Sequence, residues 1–215
     1  LTVVNSARVS FGKQVDELSD RDKKLVRYLI NHKHTSTLEH CFVTFRLKVP
    51  LFVRSQHHRH RTWSYNEISR RYTDFDITFY EPKSFRTQHT SNRQASNDEQ
   101  INPNLELAVG QGERSGYYFG DASKIIKAWH KDALKLFDEL LEAGVCREQA
   151  RGVLPQNMYT EYYASANLNN ILKFIGLRSH EGAQWEIRQL ASAMLEIVSE
   201  LYPVTVDAYR NRTKE

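Results

Sequence analysis

The sequence predicts an α+β fold, a single domain with a mixed or antiparallel sheet flanked by helices, and three observations predict it. Cys41, Val43, Phe45, Leu47 and Val49 alternate with Phe42, Thr44, Arg46 and Lys48, the two-residue period of a strand buried mainly on one face. Ile125, Ile126, Trp129, Ala133, Leu136, Phe137, Leu140 and Leu141 recur instead at helical spacing, up to a stop at Gly144. Ile187, Leu190, Ala191, Met194, Leu195, Val198 and Leu201 repeat that spacing near the end of the chain. The 215 residues suffice for one domain with a substantial core, so residues 1–215 are expected to form one.

In chain order, Ser19 and Asp22 read as a capping box before a short helix whose apolar face is Leu25, Val26, Leu29 and Ile30 and which ends near His32. The strand from Cys41 to Val49 stops at Pro50, a residue tolerated in a first helical turn, and a helix carrying Arg54 and Gln56 is expected next. Alternation returns from Arg71 to Phe79 and predicts a second strand. Residues 87–116 lose periodicity and fill with Ser, Asn, Gln, Gly and charge, so they read as a long surface excursion. Beyond the Gly144 stop come a short strand from Met158 to Ala164, a helix from Asn167 to Arg178 and the final helix.

Composition narrows the function classes. With 40% hydrophobic and 26% charged residues, and only 9 Gly and 5 Pro, the chain is neither disordered nor collagen-like. No apolar run approaches the ~20 residues of a membrane span. Residues 1–20 lack a charged-then-apolar leader, so a cytoplasmic location with no membrane partner is expected. Cys41 and Cys146 form neither a CxxC pair nor a disulfide framework. Cys41 shares the inward face of its strand, and Cys146 follows the Gly144 stop, away from the polar motifs. A net charge of +4 favours anionic ligands but is modest for a nucleic-acid binder.

The densest polar stretch runs from Arg54 to Tyr72 and holds His57, His58, Arg59, His60, Arg61, Trp63, Tyr65, Arg70 and Arg71. It admits three readings. A metal site from the histidines is disfavoured, because the arginines repel a dication and no carboxylate or thiol stands at ligand spacing. A phosphate-backbone patch for nucleic acid suits the arginines and aromatics, with a solvated basic face as the bland default. A closed nucleotide site suits them as well, because Gln56, Asn66, Glu67 and Ser69 interleave base-edge donors and acceptors with phosphate-binding forks.

Arg59-His60-Arg61, seven residues and then Ser69 resembles the RHR-x7-S signature of the flavin-dependent thymidylate synthases, and Asn66-Glu67 and Arg71-Tyr72 extend the match. Further blocks follow the family in order: Asn5 to Phe11, His34 through Glu39-His40, Ala150 to Pro155, Leu177-Arg178, and Ala183 to Ile187. The resemblance implies that family's fold, a homotetramer with active sites at subunit junctions, and reductive methylation of dUMP to dTMP. In that reaction methylenetetrahydrofolate supplies the carbon, and NADPH reduces bound FAD. Carried over residue by residue, it implies FAD contacts from His34, Ser36, Glu39, Arg59, His60, Arg61, Thr62 and Asn167. It implies dUMP contacts from Gln56, Glu67, Ser69, Arg71, Arg151 and Arg178, with Arg178 near the uracil and Arg178 and Ser69 as the catalytic pair. No metal is implied, and the other reading is a non-enzymatic nucleotide or nucleic-acid binding module.

Elementary chemistry agrees with these roles. A nucleoside monophosphate is nearly a dianion at neutral pH, which arginine's planar fork holds bidentately. Charge developing on a uracil carbonyl oxygen calls for a fixed cation such as Arg178. Each residue also has a plain structural reading. His34 and Asn167 suit caps, Arg178 meets the negative end of a helix dipole, and Ser69 has no base beside it, so a contact role is preferred over a nucleophile. Trp63, Trp129 and Trp185 read as packing residues. The chain departs from the family pattern at Asn169 and Lys173, where many relatives carry Arg and Asn, and at Gly182, where many carry His while this chain has His180.

Overall fold

A computed structural model describes residues 1–109 and 116–212 and has the expected α+β architecture. In chain order its elements are α1 (Thr2–Arg8), α2 (Asp20–Asn31), β1 (Phe42–Pro50), α3 (Leu51–His57), β2 (Ser64–Glu67), β3 (Phe85–Gln88), β4 (Ser96–Ile101), β5 (Asn104–Val109), β6 (Gly116–Asp121), α4 (Ala122–Glu142), α5 (Arg147–Ala150), β7 (Tyr159–Asn167), α6 (Leu168–Arg178), α7 (Trp185–Leu201) and α8 (Pro203–Arg210). They form a three-stranded sheet in the order β1-β7-β2 and two hairpins, β3-β4 and β5-β6. Leu51 N donates to Met158 O and Leu168 N to Cys41 O, bonds at opposite ends that set β1 antiparallel to β7.

The chain divides into two compact units. The first takes Leu1–Arg46, His58–Tyr65 and Tyr163 onward, and the second Leu47–His57 and Asn66–Tyr162. In the first, α2 begins with the predicted capping box: Ser19 Oγ accepts from Asp22 N at 3.3 Å and Asp22 Oδ2 accepts from Ser19 N at 2.9 Å. Ile187, Leu190, Ala191, Met194 and Val198 form the buried stripe of α7, at the i, i+3, i+4, i+7 spacing that keeps one helical face inward. The buried face of α6 is Leu168, Ile171, Leu172, Phe174 and Ile175. The second unit packs Phe137, Ala150, Leu154 and Met158 with Leu51, Ile77, Phe79 and Leu140. Gly144, at φ 88°, closes α4 in the left-handed region that favours glycine.

Four expectations are corrected. Arg71–Phe79 is not a strand: Tyr72 N and Thr73 N both donate to Ser69 O, and the buried Arg70 guanidinium donates to Phe75 O at 2.6 Å. These bonds close the segment into turns, and its strand character shrinks to one bridge between Phe79 and Met158. The strand in this region is β2, inside the polar cluster. Residues 87–116 are mostly exposed where described but are not devoid of regular structure: they hold the end of β3, all of β4 and β5 and the first residue of β6, and 110–115 lie outside the described residues. The β4 sequence Ser-Asn-Asp-Glu-Gln-Ile has no buried face to demand alternation, and polar bonds such as Arg86 Nε to Ser96 Oγ at 3.0 Å accompany the ladder. Two helices lacked a signal, α1 with buried Val3 and Val4 and α8 with Pro203 at its start. Lastly, Cys146 is not remote from the motifs: as N-cap of α5 it leads directly into Arg151.

Candidate active site

The residues singled out in the sequence sort between the two units. His34, Ser36, Glu39, Arg59, His60, Arg61, Thr62, Asn167 and Arg178 fall in the first, and Gln56, Glu67, Ser69, Arg71 and Arg151 in the second. Each group is coherent by itself.

In the first unit, α6 is the organising element. Asn167 caps it, its Oδ1 accepting from Asn170 N at 3.0 Å, so the plain capping reading holds. At the other end Arg178 Nε donates to His60 Nε2 at 3.1 Å. His60 must therefore accept at Nε2, and its ring lies edge-on to Phe174 with centroids 4.9 Å apart. Burial first, then the Arg178 cation, push the His60 pKa below its ordinary value, and burial lowers that of Arg178. Tyr65 Oη donates to His60 O at 3.0 Å, and burial pushes that phenol up to about 12. Arg59, Arg61 and Thr62 stand exposed in the turn between α3 and β2. Trp63 is buried edge-on against Phe174, a packing residue as expected, whereas Trp129 and Trp185 are part-exposed.

His34 opens a short 3-10 turn but makes no side-chain capping bond; its ring stacks with Tyr28 at 6.0 Å. It lines a cavity of about 650 Å³ with Asn169, Leu172, Lys173 and Leu177 of α6. Leu29 and Leu38 add apolar wall, Lys33 and Arg212 add charge, and Arg212 lies over the Tyr209 ring at 3.7 Å. Asn169, one of the departures, is buried and donates Nδ2 to Glu39 Oε1 at 3.1 Å, while Lys173 is exposed. Apolar wall together with cationic side chains fits a large flat ligand carrying phosphate, as a flavin nucleotide does. Lys33, Tyr209 and Arg212 carried no signal in the sequence, because two of them come from the chain's last helical segment. His180 Nδ1 accepts from Gly182 N at 3.0 Å and so stabilises its own turn.

In the second unit, Ser69 is the hinge of a turn: its carbonyl accepts from Tyr72 N and Thr73 N, and its Oγ from Arg71 N at 3.3 Å. No base touches that hydroxyl among the described residues. The turn aims Arg71 at Glu148, Nη2 to Oε2 3.1 Å, and Arg151 Nε donates to Glu148 O at 3.3 Å. Arg71 and Arg151 thus both bond to Glu148 of α5, and Ser69 touches Arg71 only through its main-chain N. Glu67 Oε1 accepts from Thr160 Oγ1 at 2.6 Å and pairs with Arg54 Nε at 3.1 Å. Gln56 sits half-buried in the last turn of α3. Among the described residues no three His, Cys, Asp or Glu side chains are grouped to hold a metal, and no helix is long and apolar enough to cross a membrane.

The family model described as thymidylate synthase complementing protein matches residues 1–204. A flavin-dependent thymidylate synthase of Thermus thermophilus is 39% identical over 213 residues, 99% of this chain and 72% of that protein. The chain belongs to the flavin-dependent thymidylate synthase family. A further member, from Kosmotoga olearia, is 38% identical across 98% of this chain and 85% of its own length. Among solved structures, the UMP/dUMP methylase PolB of Streptomyces cacaoi bound with 5-Br dUMP superposes with a TM-score of 0.77. It is 29% identical, covering 98% of this chain and 90% of that one.

Proposed function

We propose that this chain is a cytoplasmic thymidylate synthase in which residues 1–215 act as one catalytic domain. It converts dUMP, methylenetetrahydrofolate, NADPH and a proton to dTMP, tetrahydrofolate and NADP⁺. The observation that carries this reading is that Arg71 and Arg151 both bond to Glu148, Arg71 to its carboxylate and Arg151 to its carbonyl, while Ser69 Oγ accepts from Arg71 N: two guanidinium forks and a hydroxyl next in the chain, donors of the kind a phosphate dianion requires. In this reading Gln56 and Glu67 orient the base, Glu67 being fixed by Thr160 and Arg54. Arg178, oriented by the neutral Nε2 of His60, stabilises negative charge on the uracil oxygen.

His34, Ser36, Glu39, Arg59, His60, Arg61, Thr62 and Asn167 hold FAD, which supplies two-electron redox chemistry when bound. The protein's share is to bind, orient and exclude water. We further propose a homotetramer that retains flavin only when assembled; light scattering of a flavin-loaded monomer at dilution would contradict it. The nucleic-acid alternative is not favoured, because much of the basic run is spent internally. Arg54 pairs with Glu67, Arg70 with main-chain carbonyls, and nearby Arg147 with Asp74. Anaerobic incubation with NADPH, dUMP and methylenetetrahydrofolate tests the function: dTMP is expected, and its absence from flavin-loaded protein overturns the assignment.

A further inference from the structure

Residues between Arg8 and Tyr28 build a second concavity that none of these roles uses. It encloses about 590 Å³, and its polar lining is Arg8, Lys13, Arg21 and Lys24, with no carboxylate among the lining residues. The stripe Arg21, Lys24, Tyr28 follows from helical spacing on α2, which turns these three side chains to one face. The two acids in the first turn of α2 are already committed. Asp22 is bonded by Arg8 and by Ser19, and Asp20 pairs with Lys23 at 3.0 Å. Lys13, Arg21 and Lys24 therefore have no ion-pair partner among the described residues. Arg21 lies in the first turn of α2, where the helix dipole disfavours a cation, and Lys24 repels it one turn on. A bound anion would relieve both.

Two aromatic rings complete the surface, Phe11 at 78% exposure and Tyr28 at 52%. Exposed rings beside the cations of Lys13, Arg21 and Lys24 suit a ligand that combines a flat heterocycle with phosphate. Tyr28 also stacks on His32 and His34, with centroids 4.0 and 6.0 Å away, so this surface adjoins the wall of the larger cavity within the same unit. We infer that this basic, aromatic pocket binds the phosphorylated adenosine end of the dinucleotide reductant, an inference that rests on the proposed function for its choice of nucleotide. Phe11 and Tyr28 take the adenine, and Arg21, Lys24 and Lys13 take the phosphate monoester.

The test titrates 2′,5′-ADP into the full chain loaded with FAD and saturated with dUMP, with 5′-AMP as the probe lacking the 2′ ester. Wild type should hold 2′,5′-ADP at least tenfold tighter than 5′-AMP, and the Arg21→Ala, Lys24→Ala double variant should lose that margin. Flavin content and dUMP affinity should not change. KM for NADPH should rise in the double variant with kcat preserved at saturation. Phe11→Ala should weaken both probes alike. Equal binding of 2′,5′-ADP by wild type and the double variant, or none by wild type, overturns the inference. Selective displacement by a tri-γ-glutamate also overturns it, because the pocket would then take polycarboxylates. If no sample makes dTMP but the variant still loses 2′,5′-ADP, the proposed function fails and the pocket stands. If dTMP forms and 2′,5′-ADP is not held, the inference fails alone.

Discussion

Arg71 and Glu148 should respond to substitution with opposite signs. Their ion pair spans 3.1 Å with side chains 50% and 62% exposed, so solvent screens it to about 0–1 kcal/mol. A guanidinium bond to a phosphate dianion contributes about 1.5–3 kcal/mol. The phosphate therefore displaces the carboxylate, and the net contribution of Arg71 to dUMP binding is about 0.5–3 kcal/mol, roughly 2- to 160-fold in affinity. Arg71→Ala should weaken dUMP by that factor, and Arg151→Ala should do so comparably, both with flavin content intact. Glu148→Gln removes only the competing charge and keeps the main-chain carbonyl that holds Arg151, so dUMP should bind up to about fivefold tighter. Isothermal titration of dUMP into flavin-loaded protein measures all three. Unchanged affinity in Arg71→Ala, or weaker binding in Glu148→Gln, would refute the reasoning.

Three further outcomes are expected. His60 is held neutral below its ordinary value of 6.5, so as pH falls the unfolded chain takes up the proton first; the stability this ring contributes is full above that value and is lost as pH drops through the lower folded one. Urea melts across that range should show a steeper acid loss for wild type than for His60→Gln, and coincident losses would exclude the coupling. Asn167→Ala should cost about 0.5–2 kcal/mol through the lost α6 cap, whereas Asn167→Asp, which keeps an accepting oxygen, should retain stability and lose flavin. Thermal melts and flavin absorbance separate the two, and full flavin retention in Asn167→Asp would remove this residue from the cofactor set. Cys41 is buried, which pushes its thiol up and disfavours it as a nucleophile, and Cys146 is a free, exposed thiol that the proposed chemistry does not use. The Cys41→Ala, Cys146→Ala variant should still form dTMP, and a folded, flavin-loaded variant that oxidises NADPH without forming dTMP would overturn the thiol-free route.

The sequence by itself determined whatever a one-dimensional pattern can carry. The α4 and α7 stripes, the Ser19 capping box, the β1 alternation and the inward Cys41 were legible because one buried face imposes a period on consecutive residues. The RHR-x7-S spacing was legible for the same reason, as a local run whose composition is unusual. Tertiary structure decided what depends on residues far apart. Alternation at 71–79 was a poor guide because Arg70 is satisfied by carbonyls five and six residues on, a closure that no period announces. The polar hairpin of β3 and β4 was invisible because exposed strands need no apolar face. The meeting of Arg71 with Glu148, 77 positions later, and of His60 with Arg178, 118 positions later, belongs to the fold alone. Sequence named the donors; only folding could bring the Arg71 guanidinium to a carboxylate 77 positions away, or set an imidazole where burial and a neighbouring cation keep it neutral.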